Sequence, residues 1–416
     1  MIDHHKCAAA LPVAHALVNP NRLDDGEVAA HGHLAAVGMC WLVAVALVRT
    51  LRARGWFAGR AEPRLLDLLD LVALGTVADV AALKGLNRAF VAQGLKVMAA
   101  RRNTGMNALI EAARLTRAPT ASDLGFALGP RINAGGRVGK SDLGVRLLTS
   151  TDADEARAIA AELDRLNEER RAIESEVQLA AEAMARGGGA VTVVAGTGWH
   201  PGVIGIVAGR LKERLGRPVI VIAIGADGVG KGSGRSIAGV DLGAAVLAAK
   251  DHGLLIAGGG HAMAAGVTIA AGRVAEFAAF LNDRLAEAVA RAAGERALLV
   301  DAVLATGGIN PELVRAMDEG GPYGMGWPAP RVAMGPVRIV KADLVGSGGH
   351  VRAIVAGEDG RSLKAVAFRH GDTPLGQALL GAPRDRRLWL AGRVKIDDWG
   401  TRPAAELHID DAAWAD

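Results

Sequence analysis

Five short stretches of this sequence carry residue types able to hold a metal ion or an anion. Asp3, His4 and His5 stand together, and one carboxylate beside two imidazoles makes a compact metal or phosphate site where a strand end presents it at a cleft. The same triplet also reads as polar residues on a frayed terminus. Asp79 in GTVADV closes an otherwise apolar run, where a buried acid needs a partner to offset its desolvation; a metal ion is one, a helix cap or a buried donor another. Asp67 and Asp70, earlier in that run, read as polar positions on an amphipathic face. FALGPRINAGGRVGKS offers Arg131, Asn133, Arg137 and Lys140 as donors, while Pro130, Gly135, Gly136 and Gly139 oppose regular structure, so a polar loop with anion-binding chemistry is expected. GVGKGSGRS, Gly228 to Ser236, is a backbone-rich anion cradle to which Lys231 and Arg235 add charge. It falls short of a nucleotide-binding P-loop because Gly232 stands where a magnesium-binding Ser or Thr is required. In GGGHAMAAG, His261 follows three glycines, which suits close backbone approach to a ligand and suits a tight turn equally well.

The elements that must position these residues show in the periodicity. Leu34 to Leu86 reads as two helices around a break at Arg54 to Pro63. The uncharged run Leu34 to Val48 falls short of the about 20 residues that cross a bilayer, and is expected as a helix buried in a core. Thr151 and Asp154 read as a capping box before a long pattern in which Ile159, Leu163, Leu166, Ile173, Val177 and Met184 recur at helical spacing up to the glycines at Gly187 to Gly189. A helix of about 50 Å with charges over most of its surface is expected to bridge two domains. AVTVVAG and RPVIVIAIG, separated by the helical stretch Val203 to Leu215, form a βαβ signature with parallel strands. After Arg296, PVRIVKADLV, HVRAIVAG, SLKAVAF and RLWLAGRVKI indicate a small all-β barrel or sandwich.

Composition bounds the rest. At 416 residues the chain is too long for one core, and two or three domains are expected. Half of it is hydrophobic and 22% charged, which excludes global disorder. A net charge of +4 permits a polyanionic partner without demanding one. Cys7 and Cys40 are the two cysteines, too few for a disulfide scaffold or a multi-cysteine zinc site, and they suit a reducing compartment. The polar start Met-Ile-Asp-His-His-Lys carries no secretory pattern, so a cytoplasmic protein is expected.

Taken in order, IDHH, LVALGTVADV, LGPRINAGGRVG, WHPGVIGIVAGRL, GKGSGRSIAG and GGGHAMAAG, followed by a β-rich tail, resemble the DHH phosphoesterase superfamily and within it the RecJ single-strand-specific exonucleases. The resemblance implies an α/β fold: a DHH domain over 1–150, a connecting helix over 151–189, a DHHA1 domain over 190–292 and an oligonucleotide-binding (OB) barrel over 293–416. It implies two manganese or magnesium ions, with His4 and Asp79 as ligands and Asp3 and His5 inside or next to the ligand shell. Substrate phosphates would be held by Arg131, Asn133, Arg137, Ser233, Arg235, Ser236 and His261, with Gly259 and Gly260 giving access. An Asp-rich strand motif and a further Asp precede the triplet in the family and are not in this sequence, so a chain truncated at its N-terminus, through a shortened gene model, is expected, with too few ligands for two ions. Family members commonly carry Asn where this chain has Trp327, in GMGWPAP, and an indole there could stack on a base or fill a core.

The function implied is a 5′-to-3′ exonuclease on single-stranded DNA in repair and recombination, monomeric and without a membrane, with a single-strand-binding protein and a helicase as partners. Two alternatives stand beside it: a single-strand-binding chain that does not cut, and a DHH phosphodiesterase on short oligonucleotides or cyclic dinucleotides, against which the β-rich tail counts.

Overall fold

The computed structural model describes residues 1–7, 10–24, 28–185, 187–294, 297–346, 349–397 and 403–415. Two units emerge: Met1–Arg102 with Arg117–Gly129 and Leu298–Asp416, and Asn103–Thr116 with Pro130–Ala297.

The first unit opens with helices α1 (Ala36–Ala53), α2 (Leu69–Ala78) and α3 (Gly85–Ala99), the expected break lying between the first two. Leu34, Met39, Leu69, Val72 and Phe90 form their core. Gly94 lets α3 lie directly on α2, because a Cβ there would sit 2.1 Å from the Leu69 carbonyl oxygen. The expectation of a buried α1 holds for one face only. Its Trp41 indole donates to the Leu65 carbonyl at 2.9 Å and meets Phe90 edge-on, but only Gly38, Met39 and Val48 are buried, and Leu47 is 56% exposed. Of the helices among the described residues, α1 alone is long and apolar enough to cross a membrane by length and composition. Asp67 lies at the surface as expected, paired with Arg64 and Arg102. Asp70 does not: it is 3% exposed, and burial pushes its carboxyl above the usual carboxylate range.

α4 (Thr104–Ala112) belongs to the second unit, whereas the single turn α5 (Ala121–Asp123) and the π-helical turn Leu124–Leu128 belong to the first. The stretch expected as a polar loop is then helical, α6 (Gly129–Val138). Pro130 falls in its first turn, where no backbone donor is needed. Gly135 is there for packing, since a Cβ would lie 3.0 Å from the Lys140 carbonyl and 3.2 Å from Leu163. α7 (Leu143–Thr149) leads into α8 (Ala153–Met184), whose N-cap is Asp152, accepting from the Asp154 and Glu155 amides, rather than the Thr151–Asp154 pair. α8 is not a solvated bridge. It lies wholly within the second unit and buries Ile159, Leu163, Leu166, Val177 and Ala181, because its apolar stripe, though narrow, is continuous.

The βαβ signature is realised as β1 (Thr192–Thr197), α9 (Ile204–Leu215) and a parallel β2 (Val219–Ile224). β3 (Val229–Arg235), α10 (Leu242–Asp251), β4 (Ala257–His261), β5 (Ala264–Ala270) and α11 (Val274–Gly294) complete a sheet of order β1-β2-β3-β5-β4.

The chain returns to the first unit through β6 (Ala302–Leu304) and α12 (Pro311–Glu319). There follow β7 (Val332–Val345), β8 (His350–Ala356), β9 (Ser362–Ala367), α13 (Pro374–Leu380), β10 (Leu388–Asp397) and β11 (Ala404–Trp414). β10 pairs with both β11 and β7, so β7 to β11 close a five-stranded barrel with α13 between its third and fourth strands. This is the OB arrangement. Met334, Val351, Ala353, Val355, Ala365, Ala367 and Leu390 fill it.

Asp70 supplies a stability test with a definite sign. Its folded-state pKa is raised, so the folded state favours the protonated acid. That stabilisation is fully present below the unfolded value near 3.8 and is lost as pH rises through the folded value. Asp70→Asn is therefore expected to raise the melting temperature at pH 7, with the gain vanishing as pH falls below 4; a gain that persists in acid contradicts the assignment.

Candidate metal and phosphate sites

In the first unit, Asp3, His4 and His5 follow a short parallel bridge between Ile2 and Val18, in which Val18 N–H donates to Met1 at 3.0 Å and Asp3 N–H to Val18 at 3.1 Å. Asn21 donates to the His4 carbonyl at 2.7 Å and Asn19 to the His5 carbonyl at 2.9 Å, so the triplet is pinned rather than frayed. Asp3 Oδ1 accepts from the His4 amide and stands 2.8 Å from His5 Nδ1. The His5 bond first, and the amide second, hold the Asp3 carboxyl below its usual range.

Asp79 caps the C-terminal end of α2, and its carboxylate Oδ2 lies 3.4 Å from His4 Nε2. Its side chain is 45% exposed, so the carboxylate meets the imidazole at an open edge and not in the buried turn that the apolar run implied. The chain turns there through Val80, which takes a left-handed φ of 57° that a β-branched residue adopts only at a cost. Beyond it, Asn87 is buried and donates to Ala82 at 3.0 Å, and Leu83 N–H donates to Met325 at 2.7 Å. Trp327 stands in the same turn as Met325. Its indole donates to Gly320 at 3.0 Å, and the Arg88 guanidinium lies 4.8 Å from its ring centre, so it braces the segment that comes after Asp79.

In the second unit the GKGSGRS stretch is a strand and not a cradle. Gly230, Gly232 and Gly234 face inward, where a Cβ would fall 2.6 Å from Ile222, 2.4 Å from Val267 and 2.7 Å from Leu242. The period-two alternation of β3 puts Lys231, Ser233 and Arg235 in a row on the opposite face. Arg235 Nη1 donates to Ser233 Oγ at 3.0 Å, and both side chains lie against Gly205 in the first turn of α9. Burial first, then the charge of Arg137, lowers the guanidinium pKa of Arg235. Arg137, four residues after Asn133 and on the same face of α6, donates to Gly202 at 2.9 Å.

Three predicted contacts change. Ser236 is buried and its hydroxyl donates to Val240 at 2.7 Å, which makes it structural. Arg131 forms an ion pair with Asp164 of α8 at 2.8 Å, a packing tie. The glycines of GGGH lie in strand β4. Gly260 is required by the backbone of β5, since a Cβ would fall 2.3 Å from the Ala264 carbonyl, whereas Gly259 faces open space. His261 ends β4, exposed, with Nδ1 accepting from Met263.

A family model for the DHHA1 domain matches residues 187–287, and one for the RecJ OB domain matches 300–411. The single-stranded-DNA-specific exonuclease RecJ of Dickeya dadantii is 41% identical over 98% of this chain and 72% of its own length; that of Escherichia coli is 37% identical over the same shares. The chain belongs to the RecJ family. Among solved structures, RecJ of Thermus thermophilus with Mn2+ superposes at a TM-score of 0.76 and 29% identity, over all of this chain and 58% of that one. The same protein with Mg2+ gives 0.70 and 31%, over 86% and 53%. The chain thus spans little more than half the length of those two.

Relatives solved with Mn2+ and Mg2+ make the donor set of this RecJ chain worth testing for fit. Two donors in adjacent positions around one hard cation, with bonds of about 2.1 Å, lie roughly 3 Å apart. The 3.4 Å between His4 and Asp79 suits such a pair. Among the described residues no group of three or more His, Cys, Asp or Glu is placed to hold a metal ion, so the set for two ions is not assembled there, and Asp3 is turned to His5 instead.

Sequence reasoning missed one arrangement in this RecJ chain. Glu174 of α8 is 1% exposed and pairs with Arg170 on the same helix and with Arg210 of α9, tying the long helix to α9. Arg170 and Glu174 stand four apart in a charged run, which reads as a solvated pair; only the partner from α9 reveals the burial.

Arg137 and Arg235 carry like charges that disfavour one another, and among the described residues neither pairs with a carboxylate, so the two should welcome an anion. Inorganic phosphate is expected to raise the melting temperature of the chain, and Arg235→Ala to remove that increment. An increment of the same size in the variant places the anion elsewhere.

Proposed function

We propose that this chain hydrolyses phosphodiester bonds of single-stranded DNA with a divalent metal, from the 5′ end, in DNA repair and recombination. The observation that carries the reading is the convergence of His4 and Asp79, from two motifs far apart in sequence, on one exposed edge; the relatives named single-stranded-DNA-specific exonucleases supply the substrate class. A manganese or magnesium ion held there would lower the pKa of the attacking water and offset charge building on the phosphate.

The chain's own residues do the rest. Asn19 and Asn21 fix the backbone of the triplet and the end of α2 fixes that of Asp79, so His4 presents Nε2 and Asp79 its carboxylate with little reorganisation. Asp3 stands 2.8 Å from Nδ1 of His5 and orients its ring, which is 78% exposed and presents Nε2 to substrate or water. Asn133, Arg137, Ser233, Arg235 and His261 hold phosphates of the strand, with Lys231 continuing their row. The division into DHH, connecting, DHHA1 and OB segments, the cytoplasmic location, the monomeric state, and a single-strand-binding protein and a helicase as partners belong to the same proposal.

One observation favours binding without cutting, namely that no third donor joins His4 and Asp79 among the described residues. Manganese-dependent release of nucleotides from a 5′-labelled single strand separates the two. Asp79→Ala is expected to lower the rate by several orders of magnitude with single-strand affinity within about threefold, as for an interaction realised in the transition state, whereas Arg235→Ala weakens affinity. Wild-type chain that binds the strand and releases nothing establishes the binding-only reading.

A further inference from the structure

Asp79 caps a helix that ends against local preference. Val80 N–H donates to Val77 at 3.0 Å and Ala81 N–H to Thr76 at 3.1 Å, the paired bonds of a Schellman motif. That motif places a left-handed residue directly after the cap, a position that glycine or asparagine normally fills. Here Val80 takes it with a φ of 57°, and its branched side chain is 65% exposed, so packing does little to offset the strain. Such a conformation persists only where the surrounding chain over-determines it. Released, Val80 would leave the left-handed region, the paired bonds would open, and Asp79 would lose its fixed place.

The constraint comes from downstream. The Ala82 carbonyl accepts from buried Asn87 at 3.0 Å, and Leu83 N–H donates to Met325 at 2.7 Å. Leu83 is buried, and the turn that carries Met325 closes on it. A Cβ at Gly324 would fall 2.8 Å from the Leu83 side chain, and one at Gly326, itself left-handed at 71°, would fall 3.0 Å from Ala82. That turn joins α12 to β7. Val314 of α12 and Val332 of β7 both lie in the barrel core, so the turn is fixed to the barrel at either end.

Two side chains lock the turn to the helices. The Trp327 indole donates to the Gly320 carbonyl at 3.0 Å. Arg88 of α3 donates to the same carbonyl and to Gly321 at 3.2 Å, with its guanidinium 4.8 Å from the indole centre. Gly324 and Trp327 exchange backbone bonds of 2.9 and 3.2 Å, which closes the turn between them.

We propose that Arg88 and Trp327 are positioning residues for the Asp79 carboxylate. By locking the turn between α12 and β7 they hold Ala82 and Leu83, and through these the left-handed Val80, in the conformation that leaves Asp79 3.4 Å from His4. The route runs from the barrel core to the exposed edge, so the barrel sets the geometry of a donor it does not supply. The inference rests on the proposed metal role of His4 and Asp79 and adds what keeps the second donor in place.

The test is the manganese affinity of the full chain, read from the electron-paramagnetic-resonance signal of free Mn2+. Oligo-dT affinity in metal-free buffer and the melting temperature without metal are measured beside it. Arg88→Ala is expected to weaken manganese binding about 10- to 100-fold, the range for losing a residue that orients a ligand, with oligo-dT affinity within twofold. Trp327→Phe, which loses only the indole donor, should weaken it by several fold, and carries the test alone should Arg88→Ala not fold. The deciding background is Val80→Asn, because asparagine accepts the left-handed position without a clamp. In that background each substitution should cost less than twofold, a rescue that general loosening of the fold would not give. Where wild type binds manganese and Asp79→Ala does not, a folded variant within twofold of wild type overturns the positioning alone. So does a loss that persists undiminished beside Val80→Asn. Wild type that binds no manganese, or binds it as tightly as Asp79→Ala, overturns the reading beneath it as well.

Discussion

The molecule depends on holding an imidazole and a carboxylate together at an exposed edge without help from a buried core. His4 and Asp79 come from opposite ends of the first helical region, and each is positioned by backbone rather than by side-chain packing. On one side a short bridge to Val18 and two asparagine amides fix the triplet. On the other, α2 ends at Asp79, the left-handed Val80 turns the chain, and Asn87 and the Met325 turn hold the segment from Ala82 onward. Backbone anchoring leaves the two donors facing each other at a separation that suits one cation. It also explains why Trp327 and Arg88, which touch neither donor, belong to the same assembly.

The second unit meets a different constraint on one strand. β3 must pack tightly against the inner sheet face and offer cations on the other. Strict alternation of glycine with Lys231, Ser233 and Arg235 satisfies both, since glycines admit Ile222, Val267 and Leu242 while the polar row meets the first turn of α9. The glycine-rich look of the stretch reflects packing, and its anion chemistry lies in side chains. Glu174 draws Arg170 and Arg210 into a pair of bridges, whereas among the described residues no carboxylate pairs with Arg137 or Arg235.

Much of this was legible in the sequence. The β-branched runs around Val203 to Leu215 specify parallel strands, the break at Arg54 to Pro63 separates two helices, and alternation after Arg296 specifies the barrel. What escaped was decided by partners distant in the chain. Helicity of Gly129 to Val138 depends on a proline at a tolerated position and on a glycine against Leu163. Burial of α8 depends on α4, α7 and α9 covering a narrow stripe. Asp70 looks amphipathic until α3 covers α2. In the site itself the residue types were readable, but not that Ser236 and Arg131 are spent on internal bonds.

The central claim is that His4 and Asp79 share one divalent cation. Crystals of the chain soaked in manganese, with anomalous differences collected at the manganese edge, locate the ion directly. The account predicts a peak within roughly 2–2.5 Å of both His4 Nε2 and the Asp79 carboxylate, absent in Asp79→Ala. Manganese bound only elsewhere, or a peak that survives the substitution unmoved, would contradict it.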